Sequence, residues 1–449
     1  VQISSSGALT GVVVTFRATI DNAQSYNWDF GDGGTGTGQV VAHSYANEGQ
    51  YTVTLEITTT NDVLTFSKLV DIIADVGVGP PPAPAHTGEI GDVISSSLEF
   101  EQDTMLDPDI IQVGNGVYAV AYRGVEADGF VTTFSIDASG NIANPEIETF
   151  EFQDILNASN PDIIEVGPGI YAIAYGRGLS EGYVATLGID SSGNIGSVIE
   201  GWQYAVSGGV PQILEVGTEI YAIAHSGAGN DGFVTTIQIE PNGNIVNSVI
   251  ETVEFLDSDA FTRDFIEVGS DIYAITYEDS NFDGHVTTVS IDSSGDIGDP
   301  FVDTFEFAPI QGFFPNIIQV GSGVYALVYQ GPDNDGFVTT VGINSSGAIN
   351  KTVIDNFEFE ASDLGNLPDI IEVGSGVYAI VYEGPSDDGF VTTVSIDSLG
   401  NITPPALDSF EFDPSHGQTP VIIEVGNGIF AIAYEGLDED GFVVTVTID

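Results

Sequence analysis

The sequence predicts an all-β chain: a small β-sandwich followed by a seven-bladed β-propeller whose last blade is completed by an N-terminal strand. Three observations carry this. A motif recurs seven times at a period near 52 residues, each copy reads as four short β runs, and the last copy lacks the fourth run while a matching segment stands ahead of the first copy.

The period is set by the glycines of a recurring turn, Gly129, Gly182, Gly232, Gly284, Gly336, Gly389 and Gly441, spaced 53, 50, 52, 52, 53 and 52 residues apart. In one copy Asp369 to Val373, Val377 to Glu383, Phe390 to Asp397 and Leu407 to Phe412 are the four runs. Third and fourth runs are joined by turns such as Ser139-Gly140-Asn141 and Ser192-Gly193-Asn194, where glycine supplies a positive φ. The second run alternates large residues with alanines, as in Tyr171 to Tyr175, which suits stacked sheets. The seventh copy stops at Asp449 after its third run. Gly88 to Glu101, with Ile90 and the run Val93 to Phe100, matches the tail of a copy such as Gly347 to Glu360, so this segment is expected to close the last blade and leave no open edge.

Ahead of the repeats the character changes. The proline run from Val76 to Gly88, with Pro80, Pro81, Pro82 and Pro84, reads as a stiff spacer. The expected organisation is a sandwich over 1–76, a linker over 77–88 and the propeller over 89–449. Alternating runs at Val12 to Ile20 and Tyr51 to Ile57 flank the glycine-rich Gly31 to Gly38. That region holds Trp28-Asp29-Phe30-Gly31-Asp32-Gly33, then His43, Tyr45, Gly49, Tyr51 and Val53 in a His-x-Tyr and Gly-x-Tyr-x-Val pattern. These residues resemble the signatures of the PKD family. The resemblance implies an immunoglobulin-like β-sandwich and an extracellular setting, as a spacer or adhesion module of surface proteins and secreted polysaccharide enzymes. Trp28 and Phe30 read as core, Asp29 and Asp32 as turn residues, and His43 as a hydrogen-bonded structural side chain.

Charge excludes whole classes of function. The 67 acidic residues against 6 basic ones leave a formal charge of −61. Such a surface repels nucleic acid and anionic lipid, and its self-repulsion calls for salt or bound cations. Zero cysteines mean no disulfide framework. No stretch approaches eighteen apolar residues, so no membrane span is expected in this chain. The start at Val1 rather than Met is read as loss of a signal or anchor.

Candidate sites fall in two loop sets expected on one face. The loops between second and third strands carry Asp128, Glu181, Asp231, Asp283, Asp335, Asp388 and Asp440 just before the turn glycine. They read either as Asp-Gly hairpin turns or as a ring of carboxylates able to gather Ca²⁺ through oxygen ligands. The loops leading into each first strand vary, and Phe261, Arg263, Phe313, Phe314 and His416 are the ligand-binding candidates there; the aromatic rings read either as local packing or as surfaces that stack on sugar rings. No catalytic set is assigned: after the spacer only Arg123, Arg177, Arg263 and Lys351 are basic, His225, His285 and His416 lie in different copies, and acids are too abundant to single out a pair. Asn157-Ala158-Ser159, Asn344-Ser345-Ser346, Asn350-Lys351-Thr352 and Asn401-Ile402-Thr403 fit the glycosylation acceptor pattern.

The sequence therefore reads as a non-enzymatic extracellular or cell-surface structural or adhesion protein, a subunit of an appendage or surface assembly, with the propeller as display or binding head. Its partners would be neighbouring surface proteins, copies of itself joined by exchange of the closing strand, or glycans. A secreted carbohydrate-binding protein or polysaccharide-degrading enzyme is the alternative.

Overall fold

The computed structural model describes residues 2–3, 7–9, 13–17, 24–38, 40–45, 49–58, 63–73, 86–94, 97–154, 157–178, 181–298, 301–361 and 364–449. Most of the expected linker, Pro80 to Pro84 included, lies outside them. Two units are distinguished, Val1–Ala85 and His86–Asp449. His86, Thr87 and Gly88, assigned to the linker from sequence, belong to the second unit.

The first unit is all-β. Strands Gln2–Ile3, Val13–Arg17 and Val40–Ser44 form one sheet, and Gly7–Leu9, Ser25–Asp29, Thr35–Thr37, Gly49–Thr58 and Val63–Ile73 another. Phe16, Trp28, Phe30, Tyr45, Val53, Leu55 and Ile57 form its core, so the aromatic signature residues are packing residues. Asp29 and Asp32 accept the backbone N–H groups of Gly31 and Gly34, which shapes the turn. His43 lies on the Phe30 ring at 4.1 Å and reaches Asp32 at 2.8 Å. It is part-buried and hydrogen-bonded at the edge of the core.

The second unit is built from antiparallel four-stranded repeats. In the sixth, Asn366–Gly374, Val377–Glu383, Gly389–Ile396 and Ile402–Asp413 pair in sequence order. In the third and fourth repeats a single long strand, Glu251–Gly269, supplies the last strand of one and the first of the next. The last repeat pairs Gln418–Gly426, Ile429–Glu435 and Gly441–Thr447 with Leu98–Glu101, which sits where a fourth strand belongs.

Alternation along the second strands explains how the sheets stack. Tyr171, Ile173 and Tyr175 pack on Ala119 and Ala121 of the preceding repeat, while Ala172 and Ala174 receive Tyr221 and Ile223 of the following one. Large residues thus point back and alanines forward. At the junction of last and first repeats, Ala431 and Ala433 share a core with Tyr118, Tyr122, Leu98 and Phe100.

A buried threonine hydroxyl on each third strand donates to the carbonyl of the turn glycine one repeat on. The bonds are Thr133 to Gly193, Thr186 to Gly243, Thr236 to Gly295, Thr288 to Gly347 and Thr340 to Gly400, all 2.6–2.7 Å. The series continues with Thr393 to Gly88 and returns with Thr445 to Gly140. Gly88 therefore takes the place of a turn glycine. The Gly88 N–H donates to the Asp449 carbonyl, the Asp449 N–H to the Glu89 carbonyl and the Thr87 hydroxyl to the Asp449 carboxylate, so two distant segments build one turn.

Candidate functional site

At the start of each first strand the repeats converge on a cavity of about 580 Å³. Six repeats bring a proline-centred triplet there: Asp107-Pro108-Asp109, Asn160-Pro161-Asp162, Val210-Pro211-Gln212, Phe314-Pro315-Asn316, Leu367-Pro368-Asp369 and Thr419-Pro420-Val421. The fourth repeat has Thr262-Arg263-Asp264, with arginine in the proline position. The residue before each proline has a left-handed backbone, φ 45–53°, including the β-branched Val210 and Thr419. Left-handed β-branched residues are uncommon and strained. Here the convergence of the strands holds them in place.

The third residue of four triplets is aspartate, and each ties its repeat to the next. Asp109, Asp162, Asp264 and Asp369 accept the backbone N–H groups of Ile163, Ile213, Ile317 and Ile422 at 2.6–3.0 Å. Burial, and then neighbouring carboxylates, push two of them up, Asp264 to about 6 and Asp369 to about 7, offset in part by the backbone donors. Asp109 and Asp162 share a hydrogen bond, and both are raised, Asp162 the more. The cavity floor thus collects mutually repelling acids, some of which hold protons near neutral pH.

A second tier lies at the ends of the second strands. Glu278 accepts from the Arg263 guanidinium at 3.1 Å and from the Phe314 N–H at 2.7 Å. Arg263 also lies over the Phe314 ring, 4.4 Å from its centre. Glu383 accepts from Asn366 and Gln418. Glu435 is pushed up to about 7 by burial and by Glu439, Asp107 and Glu383, against the opposing pull of Arg123.

Among the sequence candidates, Arg263 and Phe314 line the cavity and Phe313 stands beside Phe314 at 5.9 Å. Phe261 pairs through its backbone with Glu278, and the His416 N–H donates to Asp413 in its own loop; neither lines the cavity. The triplet aspartates were missed, although the recurring Pro-Asp step was visible.

The turn acids sit elsewhere, one per repeat after a short turn. Asp335 shares a hydrogen bond with Glu358 on the outer strand, which raises Glu358, and Asp128 and Asp388 approach Glu151 and Glu411 in the same manner. Asp283 and Asp440 are raised by burial and by acidic neighbours; Glu181 and Asp231 open the third strands of their repeats. Among the described residues no three histidine, aspartate or glutamate side chains gather in a group that could hold a metal ion.

The Asp-Gly hairpin reading needs correction. Asp128 is extended, at φ −75° and ψ 162°, and the left-handed residues are Glu126 and Ala127. Gly129 lies in the strand, where an added Cβ would meet the Phe152 ring at 2.5 Å. Its role is close packing. By contrast Gly140 and Gly193, at φ +80° and +87°, do supply the turn conformation.

Residues 4–73 match the family model described as a PKD domain. No curated protein matches the chain in sequence. Among solved structures, a candidate 6-phosphogluconolactonase from Bacteroides fragilis superposes with TM-score 0.52 at 14% identity, over 76% of this chain and 96% of that one. A second, from Bacteroides uniformis, gives 0.50 at 9% identity, over 78% and 98%. The NanB sialidase from Streptococcus pneumoniae gives 0.45 at 10% identity, over 97% and 94%. At these identities the likeness concerns fold alone, and the chain is an all-β protein with a first unit that matches the PKD model and a propeller-like body.

Proposed function

We propose that the chain is an extracellular surface protein whose second unit is a seven-bladed β-propeller, closed by the strand Leu98–Glu101 and serving as a display or binding head. The threonine-to-glycine series that returns from Thr445 to Gly140 supports closure. The PKD match supports the exterior location. The observation that carries the binding role is the axial cavity: near-identical repeats deliver a different triplet to it from each direction, and the fourth breaks the pattern with Arg263. Repeated frames with one varied surface are how scaffold proteins carry specificity.

Protease treatment of intact cells tests the location. Loss of the protein from the surface while cytoplasmic markers survive is the expected result, and full protection until lysis refutes it.

A further inference from the structure

The cavity has an aromatic approach that breaks the sevenfold pattern. Phe314 lines it; the Phe313 ring lies 5.9 Å from Phe314, and the Phe282 ring 4.9 Å from Phe313. Three rings thus run from the cavity wall to solvent, where Phe282 is half exposed at 50%. Phe282 is also left-handed, at φ 69°, in a position that other repeats fill with Ala127, Asn230, Asn334, Asp387 and Glu439. An exposed phenylalanine in that backbone region is costly twice over, through strain and through wetted apolar surface. Folding alone supplies no reason for it.

The cavity behind these rings matches the size range of small organic ligands. Its lining alternates apolar proline rings with the carboxylates of Asp264 and Asp369 and the amides of Asn316 and Gln212. A ligand that fits must present an apolar face to the rings and several hydrogen-bond donors to acceptor-rich walls. Sugar rings have both, with C–H faces and hydroxyls around the edge. An anionic sugar would meet the axial acids and the surrounding negative charge, and the one guanidinium in the wall is already paired with Glu278.

Resting on the binding-head reading, we infer that the axial cavity with Phe282, Phe313 and Phe314 is a carbohydrate site for neutral or ammonium-bearing sugars, with the rings as stacking platform and the axial carboxyl groups as hydrogen-bonding partners of the hydroxyls. The test is a glycan array probed with the whole chain, followed by calorimetric titration of the glycans retained. Neutral or amino-sugar glycans should bind. Phe282→Ala should weaken them roughly three- to tenfold, the worth of one aromatic contact, without lowering the melting temperature, and Phe282→Tyr should retain binding. No glycan retained, retention confined to sialylated or uronate glycans, or affinity unchanged in Phe282→Ala overturns the inference. A protein shaved from cells that binds no sugar leaves the surface reading standing, whereas protection from shaving refutes that reading and not this one.

Discussion

Replacing Asp369 with asparagine should stabilise the protein at alkaline pH and remove part of its pH dependence. Asp369 titrates near 7 in the folded chain against an ordinary value of 3.8, because burial and then the axial acids disfavour its charge. The folded state therefore holds a proton that the unfolded state releases. The stabilising contribution is complete below pH 4 and is lost as pH rises through 7. At about 1.4 kcal/mol per pH unit, the ceiling is about 4 kcal/mol. Asparagine keeps an oxygen for the Ile422 N–H and reproduces what the fifth repeat already has at Asn316. Melting curves at pH 4, 6 and 8 at fixed ionic strength would show Asp369→Asn matching the parent at pH 4 and melting a few degrees higher at pH 8. A variant that melts lower at pH 8, or that keeps the parent's full pH slope, refutes the account of the axial acids.

Thr445→Val removes the hydroxyl bonded to Gly140 without changing shape, and should lower stability by about 1–3 kcal/mol in denaturant titration by leaving a buried carbonyl unpaired. Gly129→Ala should cost about 1–3 kcal/mol through its clash with Phe152, although the glycine is not left-handed; a neutral outcome would return it to the turn reading. Sodium chloride should raise the melting temperature, since 67 acids face 6 bases. If the turn carboxylates hold ions, calcium should add a further rise at matched ionic strength, reversed by chelator.

Much of the architecture was legible because it is periodic. Gly129 and its six counterparts recur at nearly constant spacing, and Val93 to Phe100 could be matched to the tail of another copy. The alanine alternation of Tyr171 to Tyr175 spoke directly of stacking. The cavity was harder to see, because its residues lie about 50 positions apart and their flanking positions vary from copy to copy. Only the strand geometry shows that Asp109, Asp264 and Asp369 sense one another's charge. The Asp-Gly steps are the more regular signal, and their glycine reflects the tight fit of Gly129 against Phe152. Arg263 and Phe314 stand out against the repeat and line the cavity, while His416 stands out equally and does not line it.

The turn shared by Thr87, Gly88, Glu89 and Asp449 has a mechanical meaning. The polypeptide that leaves the PKD domain enters the second unit at His86, immediately beside that junction. Tension reaching the second unit at His86 meets first the hydrogen bonds that join Thr87, Gly88 and Glu89 to Asp449. A pull on His86 is therefore borne first by Asp449, at the other end of the unit's sequence.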